Sequence, residues 1–513
     1  MKKALLYSIF ALSIASTTLT SCEDIFGGFL DKQPSNELTG EQVFSDWNLT
    51  VQFHLDTYNF LRHGAGRIST TWLDAATDLA ETSYGNGVRT SFNIGNFYGG
   101  SGASELVDTW EHYYRGIRKC NMLLTRIEEV PQNPADSEDK YNRDKKNYIA
   151  EARFLRAYFY WELFLRYGPI PIVTEVLDPD GDLMSKYTIR PTTKEYVVDF
   201  ILEELKSCED DLLDYKTAWT SSSAGRIGQP MACALRSRIM LFMASPRYSS
   251  ESGITWQQAA NVAKEFIDNY GTNFALFNDK DATGATLGIE NYTNALLRTA
   301  YQGSNKEVIF YRNDDKQNWG NIKNDTPVGE GGNGGLCPSQ NLVDAFPMSN
   351  GYPINDVTAS GYDANNPYAG RDPRLGKYIF YNGSTISEKS ITININEGNQ
   401  DGVNVTENRS TRTGYYMRKR LRMDVNCNPA SISKQPHYTP RIRYTEMYLI
   451  YAEAANEAWG PKNANGRDYS AYDVIKAIRK RAGVGGADDA YLEACAASKE
   501  QMRELIRNER RLE

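Results

Sequence analysis

The chain has 513 residues, 57 of them Lys or Arg and 65 Asp or Glu, for a formal net charge of -8. A chain of this length can bury a large core and has room for two or three lobes. The mildly acidic balance, with no basic tract, argues against a nucleic-acid partner. Apart from Cys22, the six cysteines are Cys120, Cys208, Cys233, Cys337, Cys427 and Cys495. They fall at no framework spacing and read as small core residues rather than as a disulfide scaffold. The 33 tyrosines and 8 tryptophans suit either aromatic-packed helices or a surface that stacks on something flat.

The amino terminus reads as a targeting segment. Lys2 and Lys3 precede an apolar run from Ala4 to Ala15, and Leu19-Thr20-Ser21-Cys22 follows. The run is too short for a bilayer core of ~30 Å. A small residue followed by cysteine resembles a bacterial lipobox. Residues 1–21 are therefore expected to be a cleaved signal peptide, leaving Cys22 as the lipidated first residue. Its thiol would carry diacylglycerol and its new amino group a fatty acyl chain such as palmitate. Each buried CH2 is worth ~0.8 kcal/mol, so two or three chains hold a protein where one does not. Residues 22–45 read as a lipid-anchored extended tether containing Gly27, Gly28 and Pro34. No later stretch is apolar enough to span a membrane.

Residues 46–270 form a helical region. Helical periodicity marks 41–62, 105–129, 147–167, 194–213, 229–244 and 256–270. In 147–167, Ala150, Ala152 and Ala157 allow close backbone approach, while Ile149, Phe154, Tyr158, Trp161 and Phe164 wrap most of the circumference. Such a helix is buried on several sides, and Gly168-Pro169 ends it. Residues 271–513 are loop-rich and then helical. Gly, Asn, Asp and Pro crowd 271–439, most densely at 327–335, with β-type runs at 308–311 and 391–395. Ordered loop on this scale commonly serves binding. Helices return at 443–459, 470–481 and from 499 onward. Met447, Ile450, Tyr451, Ala454 and Ala458 make a core stripe, with Glu446, Glu453 and Glu457 on another face. Arg479 and Arg481 on the next helix are the expected partners of Glu453 and Glu457. The expected fold is mostly α: a tetratricopeptide-type scaffold of helix pairs with long irregular loops and a few short β-hairpins, although no fixed repeat period is visible.

Motifs in order along the chain carry a family resemblance. They are Phe29-Leu30-Asp31 with Pro34, WEHYYRGIRKCN from Trp110, EARFLRAYFYWELFLRYGPIPIV from Glu151 and NKEVIF from Asn305. PSQNLVDAFPMSNGYPI follows from Pro338, RDPRL from Arg371, TRTGYYMRK from Thr411, RIRYTEMYLIYAEAANEA from Arg441 and AIRKRAG from Ala477. The chain resembles the SusD/RagB family of nutrient-binding outer-membrane lipoproteins. The resemblance implies a non-catalytic protein on the outer face of the outer membrane. It would capture an oligosaccharide and deliver it to a SusC-type TonB-dependent transporter. A peptide cargo on the same fold is the alternative. The family pattern also continues past Glu513, which reads as a C-terminal truncation.

A sugar offers an apolar C–H face to aromatic rings and a rim of hydroxyls to Asp, Asn and Arg. Loop aromatics are the useful ones. Trp47, Trp110, Trp161, Trp256 and Trp459 sit on periodic helices and read as core, while Trp219 lies in a loop. Two regions that the family uses for glycan remain, 67–100 and the stretch after Tyr311. The candidate ligand residues are Trp72, Asp78, Tyr84, Arg89, Asn93 and Trp319, with Asp78 also readable as a loop organiser. A glycosidase would need two carboxylates facing one bond, and Glu453 and Glu457 on one helix cannot grip it from opposite sides. The four histidines, His54, His63, His112 and His437, come with no Gly-x-Ser-x-Gly elbow and no His-Glu-x-x-His. No EF-hand spacing is present. No catalytic residue, metal or cofactor is assigned.

Overall fold

The computed structural model describes residues 39–62, 67–68, 71–85, 92–95, 104–178, 180–218, 225–277, 306–311, 319–386, 391–434 and 440–513. Cys22, Arg89, Trp219, His63 and His437 lie outside these residues. The tether expected to reach residue 45 ends earlier. Thr39 and Gln42 form a capping box on the helix Gly40–Phe44, and Phe44 is buried. Residues 41–45 read both as tether and as the start of the 41–62 helix, and the helical reading holds for Gly40–Phe44. Trp47–Asp56 follows, capped by Asp46.

The helices form where the periodicity places them. Gln229–Ala244 and Trp256–Tyr270 match the expected bounds. Glu138–Tyr167 starts nine residues before the expected 147. Its first turns are polar and held by Lys140 paired to Asp136 and Asp144, so no apolar stripe announces them. From Ala150 to Phe164 it is buried nearly all round, and Gly168 ends it at φ +67°. The 194–213 helix is wound in three ways: a π-helical Lys194–Leu202, an α-helical Glu203–Cys208 and a 3-10 turn at Glu209–Asp211. Ser104–Arg126 packs on Glu138–Tyr167, and Gln229–Ala244 packs on Trp256–Tyr270. Tyr444–Trp459 then packs against Trp256–Tyr270, Ala471–Ala482 and Lys499–Leu512. Together these helices share one large core. Among the described residues no helix is long and apolar enough to cross a membrane.

Among the described residues, charge buried inside this scaffold is paired. Glu151, fully buried, accepts from His54 at 2.8 Å, Tyr58 at 2.7 Å and the Arg226 Nε at 2.9 Å. Burial pushes its carboxyl upward, but His54, Arg226 and Tyr58 outweigh that and hold it below the ordinary glutamate range. The partners expected for Glu453 and Glu457 are corrected. Glu453 pairs with Arg510 and Glu457 with Arg503, both on Lys499–Leu512. Arg479 instead binds Asp489 and Glu509, and Arg481 binds Glu307 and Glu513. Helix spacing places Arg479 and Arg481 on the next helix but does not say which neighbour each faces. Trp110, expected in the core, is 40% exposed and lies against Tyr114 and Tyr167 at the end of its helix pair. The six cysteines after Cys22 are all buried. Burial pushes the Cys120 and Cys208 thiols up to about 12.

The loop-rich half is tied together by long-range pairing rather than by hairpins. Among the described residues, strands pair two by two. Ala80–Thr82 pairs with Leu336–Pro338, Val308–Tyr311 with Pro440–Arg443, and Ile379–Phe380 with Tyr416–Met417. Among the described residues, local strand hairpins join Arg67–Ile68 with Thr71–Trp72 and Thr385–Ile386 with Ile391–Thr392, and a single antiparallel bridge joins Asn426 to Ser433. Two small cores sit beneath this half, one around Trp72, Leu336, Phe380 and Tyr416, the other around Val308, Phe346 and Tyr378. The run 391–395 is a strand only at Ile391–Thr392, while Ile393 and Ile395 are buried in the first small core without pairing as strand.

Candidate functional site

Three segments far apart in sequence meet at one place. The first, 72–85, leaves the small core at Trp72 and pairs its strand Ala80–Thr82 with Leu336–Pro338. The second is the helix Trp319–Asp325 and the glycine-rich turn that follows it. The third is the 401–416 loop.

The glycines make close approach possible. A Cβ on Gly332 would stand 1.9 Å from the Thr326 carbonyl oxygen, and one on Gly334 would stand 2.2 Å from that of Arg409. Gly334 also has φ +56°, which favours glycine. A Cβ on Gly335 would stand 2.9 Å from the Tyr84 ring, so the missing side chain is the space the ring uses. The turn is laced by Asn333 N–H to Lys323 O at 2.8 Å, Gly334 N–H to Thr326 O at 2.9 Å and Gly335 N–H to Asn324 O at 2.7 Å. It is therefore a packed hub.

Trp72 is 3% exposed, and its indole N–H donates to Asp325 at 2.9 Å. The Arg420 guanidinium lies 4.3 Å from its ring centroid. Tyr84 is half-buried, and its hydroxyl reaches the Asn324 carbonyl at 3.4 Å. Asn93 is exposed, and its amide donates to Ala75 O at 3.1 Å and to both Glu81 carboxylate oxygens at 3.2 Å. Asp78 is exposed and pairs with Arg511. It rims a separate cleft of about 480 Å³, with Asn341, Asp344, Ile354 and Asn508. Trp319 opens its helix, with its side chain outside the description. Trp72, Tyr84 and the Trp319 helix thus converge on Asn324-Asp325, Asn93 braces the strand beneath them, and Asp78 faces elsewhere.

The third wall was not singled out in the sequence. Asn408 Oδ1 accepts the Gly85 N–H at 2.6 Å, and Arg412 reaches over the same glycine. Asn408 sits at φ +60°. One Asn and one Arg in a stretch full of both carry no distinguishing signal. Among the described residues, one His, Cys, Asp or Glu cluster has metal-ligand spacing: Glu209, Cys233 and Glu265. Arg236 already bridges its two carboxylates, so the charge a cation would bring is supplied by the chain.

Fold and site together define a helix-pair scaffold protein whose irregular half builds a polar face beside the half-buried Tyr84. The profile of the SusD family matches residues 294–513, and one described as "Starch-binding associating with outer membrane" matches 28–241. SusD-like protein P25 of Formosa agariphila is 22% identical over 96% of this chain and 84% of its own length. A SusD-like protein of Bacteroides fragilis superposes with a TM-score of 0.71 at 25% identity, covering 94% of this chain and 86% of its own. A SusD-like carbohydrate-binding protein of the same species gives 0.70 at 22%, covering 92% and 84%. The chain belongs to the SusD/RagB family.

Proposed function

We propose that this protein captures oligosaccharide outside the cell, anchored through lipid on Cys22, and hands it to a TonB-dependent outer-membrane transporter without chemical change. The observation that carries the reading is the convergence of the two loop regions singled out in the sequence. Strand pairing of Ala80–Thr82 with Leu336–Pro338, the Trp72–Asp325 bond and the seat of Tyr84 on Gly335 put an aromatic ring beside amide and guanidinium donors. That is the chemistry a sugar ring asks for. The family's starch-binding description and the carbohydrate-binding neighbour support the same cargo. Trp72 acts as a strut beneath the face, and Tyr84 as its platform.

A glycan array on the purified chain tests this. Tyr84→Ala is expected to weaken the strongest hit by ~1–2 kcal/mol, as removal of an interface aromatic does. Unchanged affinity would take Tyr84 out of the site. Binding of peptides with no glycan hit would replace the cargo, and release of reducing ends would replace the mechanism.

A further inference from the structure

The wall made by the 404–412 loop is chemically one-sided. Asn408 Oδ1 is committed to the Gly85 N–H, which leaves its amide N–H2 to face outward. Arg412 is exposed, and one of its guanidinium nitrogens lies 3.8 Å from where a Gly85 Cβ would be. Both groups donate hydrogen bonds, and neither accepts. Glu407, the carboxylate on the same loop, makes no ion pair with Arg412 among the described residues. A diol that must both donate and accept is half-served by such a wall. A carboxylate or a sulfate ester, which only accepts, is fully served, and a planar guanidinium fits it with two parallel bonds.

The loop is held well enough to present these groups in one place. Asn404 N–H bonds Thr411 O at 3.0 Å, and Thr406 N–H bonds Ser410 Oγ at 2.6 Å. Thr411 is fully buried and ties its Oγ1 to Tyr415 O at 2.7 Å. The Arg409 guanidinium bonds Gly332 O at 2.7 Å, fastening the loop to the glycine hub that seats Tyr84. Tyr416 O–H bonds Asp401 O at 3.1 Å, and Asp401 in turn accepts the Gly329 N–H at 2.8 Å. These fastenings run to backbone or to a buried group, so Asn408 and Arg412, both exposed, stand on a fixed base.

Building on the glycan reading, we infer that Asn408 and Arg412 are specificity-determining residues that select an acidic sugar unit, carrying a carboxylate or a sulfate ester, over Tyr84. Calorimetry on the purified chain tests this with three probes: an oligogalacturonate, a κ-carrageenan oligosaccharide and neutral laminarihexaose. One or both acidic probes bind, and which of them binds tells carboxylate from sulfate. Arg412→Ala weakens that binding about tenfold or more, and Arg412→Lys recovers only part of it because the fork is gone. Arg115→Ala removes the same charge from the helical half, where Arg115 is 70% exposed, and leaves affinity unchanged. Tightest binding of laminarihexaose, indifference of the acidic probe to Arg412→Ala, or an equal loss with Arg115→Ala would each overturn the inference. Binding of none of the three also overturns it. A neutral hit on the glycan array would then keep the capture function standing, and an empty array would remove both.

Discussion

The helical half and the loop-rich half are ordered by different means. The helices are held by apolar stripes that interlock into one core, with buried charges matched in place, as around Glu151. The loop half has two small cores and little regular structure. Its order comes from backbone packed on backbone at glycines, and from side chains such as Thr411 and Asp401 that serve loop N–H groups. A scaffold of the first kind tolerates changes of sequence that preserve its pattern. A face of the second kind depends on single atoms being absent, and the candidate site is built there.

The largest expected effect strikes the helical half. Glu151→Gln leaves Arg226 and His54 beside a neutral amide and is expected to cost roughly 3–5 kcal/mol at neutral pH, read by urea unfolding. The folded carboxyl is held below its ordinary value, so its stabilisation is fully present above the ordinary glutamate range and is lost as pH falls through the lowered value. The variant should therefore show a flatter loss of stability on acidification. An equally steep loss would mean that Glu151 is not the acid-sensitive group. Trp72→Ala makes the matching cut in the loop half, removing a buried indole and its bond to Asp325. A cost of about 3–5 kcal/mol is expected. If Trp72 were instead an exposed stacking platform, stability would hardly move and only ligand affinity would fall. Gly332→Ala is the finest cut, adding one methyl 1.9 Å from a carbonyl oxygen. A cost of ~1–3 kcal/mol from overpacking is expected, with loss of ligand binding. A neutral result would show that the turn yields and would erase the contrast between the halves.

The scaffold was legible because its signal is local and periodic. Gln229–Ala244 and Trp256–Tyr270 follow directly from apolar spacing, and the second also carries a Thr255–Gln258 capping box. Glu138–Lys146 escaped because a polar, solvent-facing helix start has no stripe. The site was legible only in outline. Residues 67–100 and the stretch around Trp319 were singled out, but their junction rests on pairing across more than two hundred residues, which no local pattern encodes. The burial of Trp72, the turning of Asp78 toward Arg511 and the arrival of Asn408 and Arg412 all follow from that junction.

Hydrogen exchange on the purified chain, with and without the strongest glycan from the array at saturation, tests the central claim most directly. The account predicts that 80–85, 324–338 and 404–412 gain protection together while the helix pairs 104–167 and 229–270 stay unchanged. Protection confined to the helix pairs, or to one of the three segments alone, would contradict it.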